Sequence, residues 1–550
     1  MKSTLTSIII VFLFFSCRNT MTKVDLILHN AVLYTCDSVF TMAESMAVDK
    51  GIIVAVGTND VIKASFDATT IIDAQGLAVF PGFIDAHSHF LGYGLNMLTN
   101  ADLSESESFE DVIDKIKKHH QKFNHFWIQG RGWDQNKWHN KEFPSKEILD
   151  SLFPDNPVYL VRIDGHAALV NAKAIEIAGI TSKTRVNGGI IMLKDNEPTG
   201  VLLDNAMDLV KNEIPLADDE IKYKALKEAQ EKCFSVGLTS VTDAGLNYKD
   251  VACIDSLYKQ ELLKIKLNIM LEPDTQNIEF FIKNGIYKTN NINIRAIKLY
   301  ADGALGSRGA CLLEHYSDSP GNYGIMVNNE EYLKGICSLA YQYGYQVCTH
   351  AIGDSANRFV LSIYASVIPK NNDLRWRVEH AQLINQNDFK LFNEYKIIPS
   401  VQTTHATSDM YWAESRLGKV RIKNAYSYKK LLLQNMWLCN GTDFPIEDIN
   451  PIYSFYAAVC RKDLNGYPQE GFQMENALSR KEALLAMTIW AAKASFEENY
   501  KGSIEVGKEA DFLILDKDIM HIDEPLIPQT KVMATYLNGN KVYERKQIIK

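Results

Sequence analysis

The stretch PGFIDAHSHF, from Pro81 to Phe90, carries two histidines one residue apart, His87 and His89. A strand alternates sides with a period of two, so both imidazoles share a face, roughly 7 Å apart along the strand, with Ser88 on the other. So placed, they can converge on one metal ion, or they can be two unrelated polar residues at a strand end. Further along, NIRAIKLY carries Lys298, YQVCTH ends in His350, RWRVEH ends in His380, and MWLCNGTD leads to Asp443. Each of these polar residues closes an apolar run. One such terminus would mean nothing, but the six together form a donor set that could face a common centre. Nitrogen and carboxylate donors suit zinc, with other divalent first-row ions as alternatives.

Lys298 has its own logic. In INIRAIKLYADG, alternation puts Ala296, Lys298 and Tyr300 on one face and Ile297 and Leu299 on the other. The apolar face suits packing under outer helices, which turns Lys298 inward. Burial of an ammonium lowers its pKa and frees a neutral amine. A neutral amine can take up carbon dioxide to give a carbamate, whose two oxygens can bridge two cations. The plain alternative is an ion pair with nearby Asp302.

Such side chains need a rigid frame. Eight apolar runs, each followed by a helical stretch or loop, read as strands: AVFPGFIDAH, LTSVTDAG, KIKLNIML, NIRAIKLY, YQVCTH, RWRVEH, KIIPSVQ and MWLCNGTD. Alternation of strand and helix marks an α/β fold, and eight strands match a TIM (β/α)8 barrel over residues 79–495. Barrel enzymes keep their chemistry at the carboxyl ends of the strands, where these six residues fall. An α+β insertion, about residues 125–204 and rich in Gly, Trp, Asn and Pro, follows the first barrel strand. Short strands at both ends, residues 22–78 and 496–550, predict one small β-rich domain completed by both termini. Asn538-Gly539 between apolar runs predicts a hairpin there.

The chain has 550 residues, 46% hydrophobic and 23% charged, with a formal net charge of −9. That balance speaks against a nucleic-acid binder. Lys2 followed by the apolar run Ile8–Phe15 reads as a signal peptide over residues 1–17, too short to span a bilayer. Ser16 before Cys17 resembles the lipobox of bacterial lipoproteins, which implies cleavage before Cys17 and lipid on its thiol. The expected location is therefore outside the cytoplasm, as a periplasmic lipoprotein whose only membrane contact is that lipid. The other eight cysteines form no disulfide framework and read as small buried hydrophobes; Cys348, sharing a face with His350, reads as filler one layer below the site.

The motifs PGFIDAHSHF, IKLYADGALGSRGA, THAIGD, RVEHAQ and GTDFP, in this order, resemble the amidohydrolase superfamily. GRGWDQNKW and RIDGHAALVNAKA narrow the resemblance to its YtcJ-like branch, related to N-substituted formamide deformylase (amidohydrolase family 3). The resemblance implies two divalent metal ions, zinc being expected. His87, His89 and Asp443 would hold one ion, His350 and His380 the other, with carboxylated Lys298 as the bridge. It also implies metal-activated hydroxide attacking a small-molecule amide, N-formyl or N-acyl compound, or cyclic amide, with Asp443 as the proton carrier. His166 on the insertion is placed to hydrogen-bond substrate, against a structural loop histidine as the alternative. Trp133 as an aromatic wall, Asp302 and Arg308 in the glycine-rich loop, and His405 after the seventh strand are the other substrate-binding candidates. A deaminase or a lactone or ester hydrolase fits the same donor set, and a non-catalytic binding lipoprotein is the reading from another class. A homodimer stays open.

Overall fold

The computed structural model describes residues 21–546, so the expected signal segment and Cys17 lie outside the described residues. At its centre are eight parallel strands in sequential order: β1 (Phe83–Ser88), β2 (Leu238–Leu246), β3 (Lys266–Leu271), β4 (Ile292–Tyr300), β5 (Gln346–Ala351), β6 (Arg377–His380), β7 (Ile398–Val401) and β8 (Cys439–Asn440). The ring closes at its upper rim, where Asp443 N donates to His87 O at 2.8 Å and His89 N donates to Phe444 O at 2.9 Å. All eight expected strands are present, and the fold is a TIM-like barrel.

Helices cover the outside because each strand turns one apolar face outward. Ile297 and Leu299 of β4 join the main core, together with Val360, Leu361 and Tyr364 of the helix Asp354–Val367. Each such side chain contributes on the order of 1.5–3 kcal/mol on full burial. The helix Glu330–Tyr343 starts where the Asn329 side chain accepts from Tyr332 N, and it stops at Gly344 with φ 71°, a polar start and a left-handed glycine stop. Inside the barrel, Ala244, Met270, Ala296 and Cys348 form a layer of small and flexible side chains beneath the mouth, so Cys348 is filler as expected. Below it, Lys266 Nζ reaches Asp511 at 2.5 Å, Glu509 at 2.6 Å and Asn538 at 2.9 Å, tying the barrel floor to the terminal domain.

That domain has two sheets. One holds Thr22–His29, Ser45–Asp49, Ile52–Gly57 and Phe66–Asp73; the other mixes N-terminal strands with Phe512–Leu515, Val532–Leu537 and Asn540–Glu544. Asn538 (φ 48°) and Gly539 (φ 72°) make the expected hairpin turn, both in the left-handed region that such two-residue turns require. The run AVFPGFIDAH, expected as one barrel strand, is divided. Ala78–Pro81 pairs with Phe512–Leu515 in the terminal sheet, and β1 starts after Gly82.

The insertion has a six-stranded sheet running from Ala101–Asp102 through Ile128–Trp133, Val158–Arg162, Ala167–Val170 and Glu197–Asp204 to Gly189–Lys194. It therefore begins near residue 101 rather than 125. The helix Phe109–Phe123, whose polar face hides its role in the sequence, buries Val112, Ile113 and Ile116 in the insertion's own core. Among the described residues no helix is long and apolar enough to cross a membrane.

Candidate active site

The six expected donors do meet at the barrel mouth. His87 Nε2 and His89 Nε2 lie 3.4 and 3.3 Å from Asp443 Oδ1, and His380 Nδ1 lies 3.9 Å from Asp443 Oδ2. The His350 and His380 rings are 4.5 Å apart, those of His87 and His380 5.0 Å. Lys298 Nζ stands 3.4 Å from His87 Nε2, 1% exposed, on the inward face that alternation predicts. The ligand atoms of His87, His89 and Asp443 lie within 4.8 Å of one another, and so do those of His380, His405 and Asp443.

Two backbone features aim these groups. In β6, Arg377 and Glu379 point into the barrel while Val378 joins the outer core, so simple alternation would turn His380 outward. The chain instead enters the left-handed region at His380 (φ 70°), which brings the ring back over the mouth, and Asp443 is also left-handed (φ 61°). Such conformations cost of order 1 kcal/mol or more for non-glycine residues and persist where the surroundings over-determine them.

The electrostatics suit lone-pair donation. Burial pushes His87 down to about 4, and burial also drives His350 and His380 well below the ordinary imidazole value. Burial lowers the Lys298 amine as well. Burial would raise Asp443, but His87, His405 and His89 overcome it and keep the group a carboxylate. His350 Nε2, His380 Nδ1 and Asp443 Oδ1 are buried with no hydrogen-bond partner among the described residues. Orphaned buried donors and acceptors are costly, and neutral imidazoles facing a carboxylate are what a divalent cation would satisfy. The residues present therefore fit a metal site.

His405 behaves differently. Its Nδ1 is 2.9 Å from Glu447 and its Nε2 is 3.5 Å from Asp443 Oδ2. Burial disfavours its charge, yet the two carboxylates outweigh that and raise it to about 10. It is thus a cationic donor holding Asp443.

Above the centre lies a cavity of about 1270 Å³, lined among others by Lys298, His350, His380, His405 and Asp443 from the barrel and by Arg131, Asp164 and His166 from the insertion. The His166 ring lies 4.9 Å from that of His350, and its Nδ1 is 2.7 Å from Asp204 Oδ1. Burial works against charge on His166, but Asp204 prevails and raises it. Asp204 is held in an unusual backbone state, φ 49° and ψ −128°, of the kind that costs a non-glycine residue strain. Its carboxylate packs where a Cβ on Gly303 would come within 2.6 Å. The glycine in the ADG motif therefore makes room for the partner of His166.

Three of the expected substrate contacts are not brought to the cavity. Trp133 is 1% exposed, its indole donates to Leu160 O at 2.8 Å, and it packs in the insertion core. An apolar ring on a six-strand sheet has more to gain from that core than from the wet face. Asp302 is fully buried and accepts from Cys311 N, Ile352 N and Gly353 N at 2.8–3.0 Å. It fixes the turn that follows His350. Arg308 pairs with Asp318 at 3.1 Å, away from the cavity lining.

Sequence reasoning misses four groups. Glu379 accepts from His87 Nδ1 at 2.5 Å and is gripped by Arg377. Asp85 accepts from Thr442 Oγ1 at 2.7 Å and from His87 N at 3.1 Å, lacing β1 to the segment after β8. Asp204 and Arg131 are the others. Glu379 and Asp85 occur inside the quoted motifs RVEHAQ and PGFIDAHSHF, two residues from a neighbour they serve. Arg131 lies inside the quoted GRGWDQNKW, and Asp204 carries no local signal.

Residues 70–543 match the family described as the amidohydrolase family. The chain is 33% identical over 547 residues to Protein LONG AFTER FAR-RED 3 of Arabidopsis thaliana, covering 94% of this chain and 91% of that protein. It is 31% identical over 525 residues to the YtcJ protein of Bacillus subtilis, covering 94% of this chain and 99% of the relative. Identity to the N-substituted formamide deformylase of Arthrobacter pascens is 24% over 547 residues, covering 95% of this chain and 98% of that enzyme. Among solved structures, an uncharacterized metal-dependent hydrolase from Pyrococcus horikoshii superposes with a TM-score of 0.74 at 28% identity, covering 91% of this chain and 99% of that one.

Proposed function

The chain belongs to the amidohydrolase family, and on that premise we propose that it hydrolyses a carbon–nitrogen bond in a small amide, an N-formyl or N-acyl compound or a cyclic amide. The observation that carries the reading is the buried, partnerless set His350 Nε2, His380 Nδ1 and Asp443 Oδ1 at the floor of a cavity large enough for a small molecule. His87, His89 and Asp443 would hold one divalent ion and His350 and His380 a second, zinc by donor type. Lys298 would bridge them as a carbamate: the neutral amine bonds to the carbon of carbon dioxide and releases its proton. The likeness to the formamide deformylase, an enzyme named for cleaving an N-formyl group, supports the choice of bond.

Bound divalent ions supply positive charge that acidifies water and polarises a carbonyl. The chain's own residues do the rest. Asp443 accepts the proton of the attacking water and passes it to the leaving nitrogen. His405, cationic between Glu447 and Asp443, fixes the carboxylate that carries this proton. His166, held through Nδ1 by Asp204, presents Nε2 as a donor to the developing oxyanion.

The test is a turnover screen of zinc-loaded protein on N-formyl, N-acyl and cyclic amides, with metal content measured alongside and Lys298→Ala as the control. The expected result is amine and acid release that chelation abolishes and Lys298→Ala lowers by at least a hundredfold. Ammonia released beside a hydroxy or keto product, in place of amine and acid, would instead make the enzyme a deaminase. Wild-type rates in Lys298→Ala would remove the bridge. For the N-terminus we propose export and lipid attachment at Cys17, checked by labelled fatty acid that Cys17→Ser fails to incorporate.

A further inference from the structure

Arg131 and Arg162 are the two arginines lining the cavity, and the structure treats them differently. Arg162 is fully neutralised: its guanidinium pairs with Asp134 and, at 2.6 Å, with Asp164, while its Nε donates to Gln135 at 2.7 Å. Arg131 lies one strand over, on Ile128–Trp133, and has no carboxylate within ion-pair distance among the described residues. Among the described residues its hydrogen bond is a single long one, from Nη2 to Ile163 O at 3.3 Å, and its Nε is buried with no partner.

The surroundings preserve this arrangement. Gly165 sits in the left-handed region (φ 76°) directly against the guanidinium, where a Cβ would approach Nη2 to 3.3 Å and Nη1 to 3.6 Å. Of the acids around the cavity, Asp134 and Asp164 are committed to Arg162, Asp204 to His166 and Glu447 to His405, while Asp102, the ladder neighbour of Arg131, turns to Ser104 and accepts from its N at 3.0 Å and its Oγ at 2.6 Å. The guanidinium is half-buried at the cavity wall without a counter-charge of its own, and its rigid fork matches a carboxylate in two-point contact. It lines, from the insertion, the same cavity that the donor cluster lines from the barrel.

We propose that Arg131 binds a carboxylate of the substrate, so that the amide hydrolysed here carries an anionic group a few atoms from the scissile bond. This rests on the proposed amide hydrolysis for its placement, but the binding itself does not depend on turnover. The substrate's anion completes the ion pair that the fold leaves open, and the pair fixes which end of the molecule faces the donor cluster. A neutral amide of the same shape lacks that anchor and leaves the guanidinium unpaired.

The experiment measures binding and turnover of two probes, an N-acylglycine and the matching N-acylglycinamide, on zinc-loaded full-length protein, with Arg131→Gln and Arg131→Lys alongside. Calorimetry is expected to show the carboxylate probe binding wild type at least tenfold more tightly than the amide probe. Arg131→Gln should abolish that preference with metal content unchanged, and Arg131→Lys should keep part of it. In turnover the loss should fall on KM for the anionic probe far more than on its kcat. Equal affinity of the two probes for wild type, or a preference that survives Arg131→Gln, overturns the assignment. Discrimination in binding with no turnover of either probe upholds Arg131 and counts against the amide reading.

Discussion

Glu379 Oε2 lies 2.5 Å from His87 Nδ1, and the same carboxylate is gripped by Arg377 and by Ser400 Oγ at 2.6 Å. His87 is thereby fixed in the tautomer whose Nε2 lone pair faces Asp443 and Lys298. A carboxylate behind a histidine ligand raises its basicity and sets its ring plane. Burial would raise the Glu379 carboxyl, but Arg377 and His87 dominate and keep it ionised. Glu379→Gln should therefore weaken zinc binding by ~10–100-fold, the range for such outer partners. Competition against a chelator of known affinity measures it, and an unchanged zinc affinity would show that His87 needs no partner.

Gly441 is a second support that acts through packing. A Cβ there would lie 2.4 Å from His87 N and 2.7 Å from Asp85 Oδ1. Both atoms belong to β1, so Gly441→Ala must push the HxH strand away from the segment that carries Asp443. Overpacking of this kind costs about 1–3 kcal/mol. Denaturant unfolding should show that loss, and zinc content should fall with it. Near-wild-type stability with full zinc would mean that the seam can widen freely.

How far the sequence carries depends on whether a residue's role is local. The strands are legible because each is an apolar run ended by a polar group, and Lys298 because alternation alone turns it inward. His380 is legible as the polar end of RWRVEH but not in its direction, since alternation points it the wrong way and a left-handed backbone reverses it. Trp133 misleads because an indole at a strand end serves a wall or a core equally well, and only the insertion's own core decides. Asp204 is 38 residues from His166 and meets it through pairing of Ala167–Val170 with Glu197–Asp204. The lack of a counter-ion at Arg131 is a property of all its neighbours at once, which no local pattern encodes.

The Asp318 clamp gives a pH dependence with a definite sign. Asp318 binds Arg308 at 3.1 Å and pairs with Arg416, which in turn donates to Asn136 at 2.8 Å, linking the loop after β4 to the insertion. Burial would raise the Asp318 carboxyl, yet the two arginines lower it below the ordinary range. The folded pKa is depressed, so the contribution is complete above the unfolded value, about 3.9, and is lost as pH falls through the folded one. Asp318→Asn should lower Tm at neutral pH and converge with wild type once the pH falls below the folded pKa. A Tm difference that stays constant down to that pH would place the effect in shape rather than charge. The pair is partly exposed, so the gap should be modest, on the order of 1 kcal/mol.

Asp204→Asn isolates the orientation of His166. Asparagine has nearly the same shape as aspartate, so the strained site at φ 49° and ψ −128° and the packing against Gly303 should survive the exchange. What changes is the partner of Nδ1, from an acceptor carboxylate to a neutral amide that can donate as well as accept. The ring then loses the charge that favours its donor form, and Nε2 is no longer reliably a donor toward the substrate oxygen. If that donor stabilises the developing charge, kcat should fall by ~10²-fold, as for loss of one oxyanion contact. Zinc content should stay constant, and KM should move by less than a factor of three. Loss of zinc with loss of rate would instead tie His166 to the metal through His350, whose ring lies 4.9 Å from its own. His166→Gln in the same assay separates the two, because it removes the imidazole while leaving Asp204 and its backbone in place.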